Sequence, residues 1–149
     1  GTLTFSDRSV EVTGQGWLDR EWSSQPLAED QSGWDWFSLS FDSGDKLMGF
    51  VLRGASADFT SGSWISADGT VTALQPGDFQ ALALKHSDVS RRSIPTEWKI
   101  TLPTQELSVV IQAVNEQSWM GTSFPYWEGP VTISGSHTGL GYLEMTGYE

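Results

Sequence analysis

At 149 residues the chain has the size of one domain, long enough to bury a core of its own. It contains no cysteine, which excludes disulfides, thiolate-held metals and a catalytic thiol. Nineteen acidic residues against eight basic ones give a net charge of −11, a surface that repels phosphate backbones and anionic lipid headgroups. Nucleic-acid binding and peripheral membrane binding are therefore not expected. No apolar run approaches the length of a bilayer span, so no membrane insertion is expected either. The chain opens at Gly1 directly in strand-like sequence with no signal peptide, as a processed mature protein or a domain of a longer chain would.

In chain order, roughly ten short extended segments are predicted, separated by turn residues, the pattern of an all-β sandwich or barrel. Ser9–Val12 and Gly16–Trp22 alternate apolar and polar residues, with Gly14 and Gly16 marking a bend. Trp34–Phe41, the turn Asp42-Ser43-Gly44-Asp45 and Lys46–Arg53 read as a hairpin. Ser63–Ser66 and Thr70–Leu74, around Ala67-Asp68-Gly69, read as a second. Phe79–Leu84, Thr96–Leu102 and Glu106–Ala113 follow, with a polar basic loop at Ser87–Arg92; Gly77–Leu84 could also form a short helix. Trp127–Ser134 and Tyr142–Thr146 close the chain. No linker or internal repeat divides it, so residues 1–149 are taken as one domain.

Successive side chains of a strand point to opposite faces, which groups the residues that could carry chemistry. In Gly16–Trp22, Trp17, Asp19 and Glu21 share one face, and Leu18, Arg20 and Trp22 the other. Two carboxylates beside an indole are unusual in a plain core. If that face points into a barrel, burial and mutual repulsion keep one carboxyl protonated, ready to act as a general acid on an alkene or carbonyl. The competing reading is a solvated face with Arg20 paired to a neighbouring acid. Trp34 and Trp36 also share a face and could form a stacking wall for a polyene, a steroid-like ring or a sugar; the competing reading makes both core residues. Tyr126 and Glu128 flank Trp127, and Tyr142, Glu144 and Thr146 share one side of the last strand. Glu144 gains interest only if it faces the same space as Asp19 and Glu21. Arg53 lies on the face of Leu47, Gly49 and Val51 and needs an acidic partner if buried, with Asp19, Glu21 and Asp35 as candidates. His86 and His137 lack ligand-like spacing, so no metal is expected. No phosphate loop, nucleophile elbow or Ser/His/Asp set is present, and no cofactor is implied.

The run Gly16-Trp17-Leu18-Asp19-Arg20-Glu21-Trp22-Ser23-Ser24 resembles a signature of the carotenoid 1,2-hydratase-like, or AttH-like, proteins, often labelled secreted hydrolases. The resemblance continues through Gly33–Phe37, Leu47–Arg53, Pro95–Trp98, Tyr126–Gly129 and Gly139–Tyr148, in the family's order and over nearly the whole chain. It implies an antiparallel lipocalin-like β-barrel, the C-terminal one of two in tandem, acting on or binding a hydrophobic, isoprenoid- or lipid-like molecule. Acid-catalysed hydration is the implied chemistry, with Asp19 and Glu21 as acids and Trp17, Trp22, Trp34 and Trp36 as lining. Arg53, Tyr126, Glu128 and Glu144 fall on further family motifs and are implied substrate contacts. Extracytoplasmic residence is implied by the resemblance alone. Where the family carries Trp-x-Ser before Tyr-Pro, this chain has Lys85-His86-Ser87 and Ile94-Pro95, which alters the expected pocket wall. A non-catalytic carrier of apolar ligands is the alternative reading, and a carbohydrate-binding module a third.

Overall fold

The computed structural model describes residues 1–20 and 27–148. A two-stranded hairpin, β1 (Thr2–Thr4) and β2 (Ser9–Glu11), leads the chain and is exposed along both strands. The remaining strands are β3 (Gln31–Phe41), β4 (Lys46–Gly54), β5 (Phe59–Ile65), β6 (Val71–Ala73), β7 (Gln80–Val89), β8 (Arg92–Leu102), β9 (Leu107–Ala113), β10 (Trp119–Met120), β11 (Tyr126–Gly135) and β12 (Gly139–Met145). They form one antiparallel sheet in the order β6-β5-β4-β3-β12-β11-β9-β8-β7, with β10 beside β11. The sheet curls into a half-barrel, and β6 and β7 are its unpaired ends among the described residues. The only helical element there is a single 3-10 turn at Pro103–Gln105.

Alternation decides what faces inward. Along β3, Asp35, Phe37, Leu39 and Phe41 are buried inside, while Trp34 and Trp36 on the opposite face are only half-buried. β4 and β12 repeat the pattern with Leu47 and Val51, and with Leu143 and Met145. The concave side is filled: Phe37 packs against Phe79 and Trp98 at centroid separations of 5.6 and 5.4 Å. Phe79 lies so close to Gly49 that a Cβ there would meet its ring at 2.7 Å, so the large ring requires the missing side chain. The inside of the half-barrel around Phe37 is thus a packed core, because inward aromatic side chains take up its space.

The β3–β4 hairpin forms as its sequence predicts. The Gly44 amide donates to the Phe41 carbonyl, and Gly44 takes φ +96° to let the chain re-enter the ladder at Asp45. The expected loop at Ser87–Arg92 shrinks to two residues, Ser90 and Arg91, at φ +51° and +67°. Two consecutive left-handed residues match the twist of a hairpin, but neither is the Asn or Gly that signals such a turn. The Gly77–Leu84 segment enters β7 as strand from Gln80 onward.

At one end of the core, Asp35 and Arg53 pair at 2.5 Å, and the Tyr148 hydroxyl donates to the same carboxylate oxygen at 2.9 Å. Arg53 also donates to the Thr146 carbonyl and lies 4.2 Å from the Tyr148 ring centroid. Of the three acids open to Arg53 in the sequence, Asp35 is its partner. Burial pushes the Asp35 carboxyl above the usual carboxylate range, opposed by the Arg53 guanidinium and its hydrogen bonds. The cluster ties the end of the chain to β3 and β4.

Candidate functional site

Behind the filled core, the outer face of β3, β12 and β11 carries a different set of side chains. Register places Trp36 opposite Glu144, and Glu144 opposite Glu128, so one indole and two carboxylates form a row across three strands. The next row holds Ser38, Tyr142 and Pro130. Neighbouring strands lie about 4.8 Å apart, so each row is within reach of a single small molecule.

The segment Thr13–Arg20 runs across this face without joining the sheet. Trp17 meets Trp36 edge-on at 6.3 Å and 65°. Trp17 and Asp19 both line the resulting groove, whereas Leu18 between them is 84% exposed. Trp17 and Asp19 thus line the same groove, while the strand expected over Gly16–Trp22 is not formed in its described part, Gly16–Arg20. The groove encloses about 920 Å³, and Asp19, Glu128 and Glu144 share it with Trp17, Trp36 and Tyr142. It lies outside the barrel, not within it. Glu21 and Trp22, singled out from the sequence, lie outside the described residues.

Hydrogen bonds hold part of the wall. The Trp34 indole donates to Glu144 at 2.9 Å and stacks on Phe124 at 6.0 Å. The Asp19 carboxylate accepts from the Arg20 backbone amide at 3.0 Å. The Tyr126 hydroxyl faces Glu128 at 3.4 Å. Repulsion from Glu128 raises the Tyr126 pKa, and burial with the same carboxylates raises that of Tyr142. Both phenols therefore keep their protons at neutral pH and remain hydrogen-bond donors.

Arg53 is not part of this groove, since it is committed to Asp35 on the core side. Trp34 and Tyr126 support the groove's neighbours and do not line it. Tyr142, which alternation grouped with Glu144, lines it, as do Leu140 and Ser38, which were not singled out. A second, smaller cavity of about 410 Å³ opens beside Phe79, Phe59 and Asp58, with no comparable gathering of acids and rings. Among the described residues no group of three His, Cys, Asp or Glu could hold a metal ion. No helix among them is long and apolar enough to cross a membrane.

Among solved structures, a putative AttH from Nitrosomonas europaea is 29% identical, with a TM-score of 0.87, covering 99% of this chain and 48% of that one. Kievitone hydratase from Nectria haematococca shares the fold at 18% identity and a TM-score of 0.69, covering 87% of this chain and 43% of that one. The chain thus spans about half the length of these relatives. No curated protein matches it. A family model described as AttH-like matches residues 1–148, nearly the whole chain, and with the lipocalin-like half-barrel this means that the chain belongs to the AttH-like family.

Proposed function

We propose that the outer groove binds a hydrophobic, isoprenoid- or lipid-like small molecule and that its carboxyl groups serve acid-catalysed hydration of a double bond. The observation that carries this reading is the convergence of Asp19, Glu128 and Glu144 with Trp17, Trp36 and Tyr142 around one hollow. Rings supply apolar area and a negative face that attracts a developing carbocation. A protonated carboxyl gives its proton to one alkene carbon, forming a C–H bond and leaving the cation on the other carbon. Water adds there, and a carboxylate takes the released proton, which restores the acid. General acid–base groups of this kind contribute about 10²–10⁴-fold in rate.

The kievitone hydratase neighbour supports the reading by fold, and its name places hydration chemistry on a similar scaffold. A second barrel domain belongs to the proposal, since the solved relatives are about twice this length. Extracytoplasmic residence belongs to it as well, by family alone.

The test uses an isoprenoid alkene in deuterated water, with mass spectrometry for a product heavier by one water. Asp19→Asn and Glu128→Gln should each lower its formation by at least about tenfold. Formation at the unaltered rate in both variants overturns the acid roles. Ligand-dependent quenching of Trp fluorescence with no product in the unaltered protein leaves a carrier, with hydration withdrawn.

A further inference from the structure

The charge of the groove narrows its ligand further. The wall contains four carboxylates, Asp19, Asp42, Glu128 and Glu144, and no Lys, Arg or His among its described lining residues. Arg20 follows Asp19 without lining the groove, and Lys46 of β4 stands opposite Ser40 on the outer face. Its ammonium is bonded to the Gly44 carbonyl at 3.1 Å, two pairing rows from Trp36 and Glu144. An acidic ligand head placed beside Glu128 and Glu144 would add a third negative charge to two that already face each other across a strand pair. Partial enclosure by Trp17 and Trp36 limits the water that would screen that repulsion.

We infer that the ligand carries a hydrogen-bond-donating, non-acidic polar end, an alcohol, phenol or amine, on its hydrophobic body, and that fatty acids and phosphorylated isoprenoids are rejected. This rests on the groove being the ligand site, as proposed above. An ionised carboxylate accepts hydrogen bonds and donates none, so a ligand hydroxyl or ammonium can bond to it where an ionised acid head cannot. The field that repels an anion also favours the cation formed when a double bond is protonated, so selectivity and chemistry have one source.

Geraniol, geranylamine and geranic acid share one hydrocarbon body and differ only at the polar end. Trp fluorescence quenching should show the alcohol and the amine binding at least about tenfold more tightly than the acid at pH 7.5 and low salt. Glu128→Gln combined with Glu144→Gln should narrow the gap to under about threefold, with far-UV circular dichroism confirming the fold. In the unaltered protein, about 1 M salt should narrow the gap between amine and acid, so the charge effect is readable even if that variant fails to fold. Geranic acid binding as tightly as geraniol overturns this inference and leaves the groove as a ligand site. Binding of none of the three removes the site itself, and the inference with it.

Discussion

The two faces of the same sheet are built to opposite specifications. The inner face is apolar, filled and closed at one end by the Asp35–Arg53–Tyr148 cluster. The outer face mixes rings with acids and leaves a hollow under the Thr13–Arg20 segment. Both are lined by aromatic side chains, so ring content alone does not distinguish structural from functional roles. What distinguishes them is whether rings meet other rings across the curl, or meet carboxylates along one row. Damage to the inner face should therefore cost stability, and damage to the outer face should cost binding.

The largest expected effect lies in the core. Trp127 is fully buried and its indole donates to the Glu116 carbonyl at 2.8 Å. Trp127→Ala should lower unfolding stability by about 3–5 kcal/mol in urea melts. Next comes the charged end of the core, where Arg53→Met leaves Asp35 buried without its cation. A loss of about 2–4 kcal/mol is expected, with the partial exposure of Arg53 keeping it below the full cost of a broken buried pair. A normal midpoint in either variant would break the contrast between the faces.

The pH dependence of Asp35 sharpens the same point. Its folded pKa is raised chiefly by desolvation, so its favourable contribution is present below the unfolded value and fades as pH rises through the folded one. The stability gap between the unaltered protein and Asp35→Asn should accordingly narrow as pH rises above the unfolded carboxylate value of about 4. A gap that widens instead would mean that the Arg53 partner outweighs burial.

On the outer face the expected stability changes are smaller and binding takes over as the readout. Trp36→Ala should shift unfolding stability by about 1 kcal/mol while weakening apolar-ligand binding at least about tenfold, because its ring is half-buried and faces the groove. Leu18→Ser should change neither stability nor binding by more than about 0.5 kcal/mol, since its side chain points away from the groove wall. A strong binding defect in Leu18→Ser with an intact Trp36 response would relocate the ligand to the far side of the segment.

Much was legible beforehand because strand alternation is a local property. The facing of Trp34 and Trp36 away from Asp35 and Phe37, the separation of Glu144 from Leu143 and Met145, and the need of Arg53 for an acid all followed from period two. The strand expected over Gly16–Trp22 does not form in its described part, Gly16–Arg20, which is exposed throughout and crosses the sheet without a ladder of its own. The two-residue turn at Ser90-Arg91 was hidden because its residues lack a turn signature.

By itself the sequence determined the all-β class, the sorting of side chains onto two faces, and the company that Trp17 keeps with Asp19. Which face became enclosed was decided only by tertiary structure. Curvature filled the concave side with rings, and pairing between residues as distant as Trp36 and Glu144 gathered the acids on the convex one. Period-two patterning assigns a side chain to a face but carries no information about the direction in which the sheet will bend.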